Sequence, residues 1–184
     1  MEKIRCGWCE KDDLYRKYHD EEWGRPVYDD KKIFEFLILE SFQAGLSWHT
    51  ILSKRENFRK AFDHFDYKTI AKYSDVKVEE LMQDPGIIRN RLKILATITN
   101  AQKFMEVQGE FGSFSKYIWK FVENEPIDNK PKTLKDVPAT TDISDKLSKD
   151  LKNRGFKFMG STVIYAHMQA TGMVNDHVLD CFIR

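Results

Sequence analysis

Apolar residues along this chain recur with a helical period, and no sustained alternating run with β-branched residues interrupts them. Between Lys31 and Ala44, the residues Ile33, Phe34, Leu37, Ile38 and Phe42 share one side of a predicted helix, with Asp30 placed to cap it and Gly45 to end it. A short helix or helical turn precedes it at Leu14–Trp23. Ser47 caps a further helix to about Phe62, with Trp48, Ile51, Leu52 and Phe58 turned inward. Asp66 opens a short helix to Tyr73, and another runs from about Val76 to Gln83, where Asp84-Pro85-Gly86 stops it. A long helix over about Ile88–Gln108 follows, then one over Ser113–Val122. The polar stretch Glu123–Thr141, with Pro126, Pro131 and Pro138, reads as a linker or a functional loop. Helices return at Ser144–Arg154, closed by Gly155, and at about Met159–Ala170, closed by Gly172. The expected fold class is all-α.

Composition narrows the picture. The 184 residues are 41% hydrophobic and 13% aromatic, enough for one domain with its own core and too apolar for a disordered chain. Apolar runs such as Phe36–Leu39 are too short to span a bilayer, and Met1–Cys6 holds no apolar signal segment. A reducing cytoplasm is the expected location, with no membrane partner. Thirty Lys and Arg against 29 Asp and Glu leave a net charge of +1, so any surface for nucleic acid must be a local patch.

Such a patch exists. Arg89, Arg91, Lys93 and Lys103 lie between Gly86 and Met105 with no acidic residue among them. They follow a glycine turn between two helices, spanning about residues 76–106, where backbone N–H groups at a helix start favour anions. A helix-hairpin-helix that grips DNA phosphates has this form, and Gly86, Ile87, Arg89, Arg91 and Lys93 are its candidate contacts. An ordinary hairpin with a solvated basic face is the competing reading. A second basic group, Lys146, Lys149, Lys152, Arg154 and Lys157, fits a solvated helix face.

Two further constellations carry chemistry. Cys6, His19, His177 and Cys181 supply two thiols and two imidazoles, a set that zinc accepts in a closed structural site and that would tie the two ends of the chain together. The spacing Cys6-Gly7-Trp8-Cys9 leaves two rivals open: Cys9 as a substitute ligand, or a redox pair, which usually follows a strand. Glu40 falls among apolar residues of its helix, where a carboxylate needs a buried partner or a function. Trp8, Tyr15, Tyr18 and Trp48 could flank a flat cationic guest beside it, while Trp23 is assigned to the core.

Taken together, these pieces resemble the DNA-3-methyladenine glycosylase I family of the helix-hairpin-helix DNA glycosylase superfamily. The resemblance rests on Cys6-Gly7-Trp8, Tyr18–Gly24, Leu39–Trp48, Gly86–Arg91, Gly155–Phe158 and Val174–His177, in order along nearly the whole chain. It implies a single glycosylase domain over residues 1–184, made of two helical lobes with a cleft for a flipped-out base. It implies one structural zinc ion held at Cys6, His19, His177 and Cys181. It also implies a base pocket at Trp8, Tyr15, Tyr18, Glu40 and Trp48, with Trp8 stacking on the base, Glu40 accepting hydrogen bonds from it, Tyr15 and Tyr18 lining the wall and Trp48 closing the pocket. Glu40 is the residue to which the chemistry would be assigned, through recognition and electrostatics rather than proton abstraction. Ala166 stands where the family often has Ser, so a hydroxyl contact from that position is absent. The implied enzyme acts as a monomer on double-stranded DNA carrying alkylated bases. It hydrolyses the glycosidic bond, releases free 3-methyladenine and does not cut the strand. A helix-hairpin-helix DNA binder without catalysis is the alternative, which the set Trp8, Glu40 and Trp48 disfavours.

Overall fold

The structure, a computed structural model, describes residues 3–184. Ten helices dominate these residues: α1 (Asp13–Glu21), α2 (Asp30–Gln43), α3 (Trp48–Ser53), α4 (Arg55–Ala61), α5 (Tyr67–Ile70), α6 (Asp75–Gln83), α7 (Arg91–Phe111), α8 (Phe114–Trp119), α9 (Asp142–Asn153) and α10 (Ser161–Ala170). The expectation of an all-α fold holds apart from two two-residue strands, β1 (Ile127–Asp128) and β2 (Val174–Asn175). They pair in parallel, Ile127 opposite Val174. Strands this short leave no alternating trace in the sequence.

The fold is arranged around α2. Every residue from Ile33 to Phe42 is buried, as expected of a helix that is apolar on nearly all sides. Helices α3, α7, α8 and α10 pack against it. Phe34 meets Phe104 edge-on at 5.1 Å, and Phe104 stacks on Phe114 at 4.1 Å, so the main core is largely aromatic. A smaller apolar cluster gathers Tyr18, Phe36, Leu52 and Ala170. Trp48 packs against both clusters and marks their junction.

Several element starts differ from expectation by a residue or more. Asp29, not Asp30, caps α2, accepting from the Lys32 N–H at 2.8 Å. Asp30 instead accepts from the backbone N–H groups of Phe114 and Ser115, at 2.9 and 2.8 Å, and so ties α8 to the start of α2. The expected helix from Ser47 to Phe62 breaks at Lys54 into α3 and α4. The long helix starts at Arg91, capped by Asn90, rather than at Ile88. Gly172 is required at its turn: its φ is +68° and a Cβ there would lie 2.3 Å from the Arg25 carbonyl carbon.

One core residue makes the fold sensitive to acid. His167 on α10 is fully buried, and neither ring nitrogen has a partner among the described residues. Burial pushes it down to about 3, whereas in the unfolded chain it titrates near 6.5. The unfolded chain therefore takes up this proton first, and stability is lost as pH falls through that window, at up to ~1.4 kcal/mol per pH unit. Denaturant unfolding of His167→Leu at pH 7 and pH 5 should show a shallower loss of stability than the wild type; equal slopes would remove His167 as the cause.

Candidate functional site: an aromatic pocket beside a thiol and imidazole cluster

A pocket of about 440 Å³ opens where the two apolar clusters meet. Four short elements bring its walls together. Trp8 sits in a 3-10 turn, Gly7–Cys9. Tyr15 and Tyr18 lie three residues apart on α1, hence on one face. Glu40 projects from the buried helix α2, and Trp48 is the first residue of α3, capped by Ser47. Trp8 meets Tyr15 edge-on at 5.2 Å, and Tyr18 lies 5.5 Å from Trp48. Asp12 joins two of these walls: one of its oxygens caps α1 through the Tyr15 N–H, and the other bonds the His49 ring at 2.5 Å. The five residues predicted for the pocket thus come together.

Their polar atoms are left open. The Tyr18 hydroxyl, one Glu40 carboxyl oxygen (Oε2) and the Trp48 ring N–H are all buried without a partner among the described residues. Such groups cost free energy unless something meets them, and three around one cavity point to a guest. Glu40 makes this plainest. On the same helix Glu35 is also buried, but Arg59 bonds it at 3.1 and 2.6 Å. Glu40 has no such cation, and burial pushes it up to about 8. At neutral pH its carboxyl is therefore largely protonated, able to donate as well as accept. The Tyr18 phenol is pushed up as well, first by burial and then by the nearby Glu40.

Behind Trp8, the ligand atoms of Cys6, His19, His177 and Cys181 lie within 4.8 Å of one another, all buried. Sulfur to imidazole nitrogen distances are 3.6 Å for Cys6–His177, 3.5 Å for Cys181–His177 and 3.5 Å for Cys181–His19. Zinc bonds of about 2.3 Å to sulfur and about 2.05 Å to nitrogen, at tetrahedral angles, place those atoms about 3.6 Å apart. The outer ring nitrogens are also satisfied. His19 Nδ1 bonds Asp20 at 2.9 Å and His177 Nε2 bonds the Trp23 carbonyl at 3.2 Å, which leaves the inner nitrogens free as ligands. Arg5 bonds Asp20 in turn and holds its carboxyl down at about 2. Gly24 permits this closeness, since a Cβ there would lie 2.9 Å from His177 Nε2. Burial pushes the Cys6 thiol up to about 12, so a thiolate at Cys6 needs a cation beside it. The donor set fits a tetrahedral metal. Cys9 stands outside it, donating its S–H to the Cys6 carbonyl at 3.0 Å.

The hairpin between α6 and α7 departs from expectation at several candidate contacts. Lys93 does not reach the surface. Its ammonium is buried and donates to the carbonyls of Phe42 and Ala44, both at 2.9 Å, which the end of α2 leaves without an intrahelical partner. It is thus unavailable to a phosphate. The Gly86 N–H is taken by Asp84 at 2.7 Å, and the Ile87 side chain is buried in the core. Arg91 is exposed and paired with Glu79, and Arg89 is exposed with no ion pair among the described residues. In the second basic group, Arg154 is engaged by Glu110 and Asp150.

Other pocket residues were not foreseen. Leu134 and Val137 come from the proline-bearing segment, Gln43 and Gln169 from α2 and α10, and Asp176 from just after β2. Gln43 lies one turn from Glu40, which was a usable signal; Gln169 lies one turn from Ala166, also in the wall. Nothing in the sequence brings Leu134 or Val137 near the pocket. Trp23, assigned to the core, is half-buried, lines the pocket and packs on His177 at 4.7 Å.

The fold and site thus define a helical protein with an aromatic recess whose buried polar groups lack partners among the described residues, a lining suited to a flat ring bearing heteroatoms. Residues 8–184 match the methyladenine glycosylase family. The chain is 50% identical over 177 residues to DNA-3-methyladenine glycosylase 1 of Escherichia coli K12, covering 96% of this chain and 95% of that one. It is 46% identical to DNA-3-methyladenine glycosylase of Haemophilus influenzae, with 96% of each covered. A crystal structure of 3-methyladenine DNA glycosylase I superposes with a TM-score of 0.95 at 47% identity, over 97% of this chain and 98% of that one. The Staphylococcus aureus enzyme, solved to show the structural basis of 3-methyladenine recognition, superposes at 0.94 with 38% identity over 97% and 95%. The chain belongs to the methyladenine glycosylase family.

The desolvation of Glu40 has a measurable cost. Its folded-state value lies above the ordinary one, so stability is lost as pH rises from about 4.5 towards 8. Glu40→Gln should raise stability at pH 7 by roughly 1–3 kcal/mol and flatten its dependence between pH 5 and 8. Thermal unfolding across that range measures it, and a less stable variant would contradict the unpaired state of Glu40.

Proposed function

We propose that the protein is a base-excision repair enzyme that hydrolyses the N-glycosidic bond of 3-methyladenine in alkylated DNA, leaving an abasic site. The buried, unpartnered polar atoms of Glu40, Tyr18 and Trp48 around one aromatic pocket carry this reading. A DNA binder without catalysis has no use for them. Within the single domain, the hairpin with Arg89 and Arg91 meets the backbone of double-stranded DNA, where exposed cations position a protein without reading sequence. The nucleotide is extruded at a cost of a few kcal/mol and enters the pocket. Trp8 stacks on the base, Tyr15 and Tyr18 wall it in, Trp48 closes over it and Glu40 hydrogen-bonds its edge.

Methylation at N3 leaves the bound base cationic, so the C1′–N9 bond breaks with both electrons going to the base, which departs neutral. Water adds to C1′ and its surplus proton passes to solvent. The leaving group needs no strong acid, so Glu40 acts by recognition and local electrostatics. Lys93 is held between two carbonyls and cannot serve as an amine nucleophile, consistent with hydrolysis without strand cleavage.

Cys6, His19, His177 and Cys181 would hold one zinc ion, which cross-links the chain ends and takes no part in the reaction. With four protein ligands, no position remains open for water.

Methylated DNA incubated with the protein should release free 3-methyladenine, resolved by chromatography, and Glu40→Ala should lose at least ~100-fold in rate. No release by the wild type, or undiminished release by the variant, would refute the assignment. Elemental analysis of the purified protein should find one zinc per chain, removable by acid or chelator with loss of thermal stability; a metal-free protein of equal stability would sink the zinc clip.

A further inference from the structure

Gln169 and Asp176 lie in the pocket wall outside the set of residues discussed so far as base contacts. Asp176 is almost wholly buried, 1% exposed, and receives hydrogen bonds on both carboxylate oxygens. Asn129 donates to Oδ1 at 2.7 Å. The Tyr165 hydroxyl and the Gln169 amide donate to Oδ2 at 2.7 and 2.8 Å. A carboxylate that accepts from a carboxamide fixes which end of that carboxamide faces it. The NH2 group of Gln169 is therefore turned to Asp176, and its carbonyl oxygen is the end not held by Asp176, on a side chain that lines the pocket. This oxygen has no partner among the described residues. Gln169 is itself anchored, because its backbone carbonyl accepts from Gly24 N–H at 3.0 Å and Gly24 borders the thiol and imidazole cluster. Tyr165, one of the donors to Asp176, is buried next to Ala166, which brings only a methyl group to the wall.

The acceptor is thus held in place before any guest arrives. Glu40 and Trp48 bring polar atoms to the same cavity, and the Gln169 oxygen adds an acceptor whose direction is fixed by Asp176; an exocyclic amino group, with two hydrogens, can use such an acceptor. We propose that Gln169 is a specificity-determining residue whose carboxamide oxygen accepts a hydrogen bond from the amino group of the bound base, and that Asp176 is the positioning residue that orients it. A base carrying an oxo group at the same position would set oxygen against oxygen and leave Gln169 unpaired, a mismatch that binding sites of this kind reject. The proposal rests on the glycosylase reading and adds the feature by which the pocket tells an amino-purine from an oxo-purine.

The test uses the full-length protein and two free bases, 3-methyladenine and 3-methylhypoxanthine, with affinities read by calorimetry or tryptophan quenching. Wild type should bind 3-methyladenine at least ~10-fold more tightly. Gln169→Leu should bring that ratio to within ~2-fold in a protein that still unfolds cooperatively. Asp176→Asn should move the ratio in the same direction. Combined with Gln169→Leu it should add no further loss of selectivity, since the two act through one contact. A Gln169→Leu protein that keeps the wild-type ratio overturns the proposal, and so does a double variant whose losses of selectivity add. Should Asp176→Asn not fold, Gln169→Leu alone decides. Base release from methylated DNA is measured in parallel. Its absence in the wild type would refute the glycosylase reading, while the two affinities would still judge Gln169.

Discussion

Two thiols and two imidazoles that converge within 4.8 Å bring residue 6 of the chain against residue 181. The pocket is built outward from that closure. Trp8 follows Cys6 by two positions, Tyr18 precedes His19 and Asp176 precedes His177. Three of the four cluster residues, Cys6, His19 and His177, thus have a pocket residue within two positions on the chain. Trp8 also lies 5.5 Å from the His19 ring and 5.1 Å from Trp23, so the tryptophan between cluster and cavity has rings packed around it. Chain ends are ordinarily the least ordered part of a domain. Here Trp8 and Asp176, close to either end, line the pocket, and the buried thiol and imidazole cluster lies beside them.

The second organising fact is the contrast between Glu35 and Glu40. Both are buried on α2, a helix that the core surrounds. Glu35 is neutralised by an arginine; Glu40 is left with a cavity. A fold optimised for stability alone would place an apolar residue at position 40. Keeping a carboxyl there, next to a phenol and an indole that also lack partners among the described residues, leaves buried polar groups that a guest would satisfy. The same economy explains Asp176, where three donors hold a carboxylate so that one neighbouring amide faces a single way.

Much of this could be read from the residues. Helical periodicity located nearly every helix, and the aromatic residues beside Glu40 and the Cys/His set proved to be neighbours in space. What escaped was what depends on a partner distant in the chain. Asp30 looks like an N-cap for its own helix and bonds α8 instead, because Asp29 already fills that role. Lys93 belongs to a basic stripe in one dimension, but the unsatisfied carbonyls at the end of α2, some fifty residues earlier, draw it inward. The hairpin amide of Gly86 is spoken for by an aspartate two residues before it. Gln169 carries no mark of function in the sequence; only its contact with Asp176 gives its two chemically different ends different roles.

The Lys93 contact has a consequence for cooperativity. One ammonium joins the first turn of the hairpin helix α7 to the last turn of α2, the helix that carries Glu40. Fraying of either end strands a buried cation or two carbonyls, so neither end opens cheaply by itself. Amide protons at the start of α7 and at the end of α2 therefore belong to one exchange unit. In such a unit, whatever holds the start of α7 in place also suppresses local opening at the end of α2, the helix that carries Glu40.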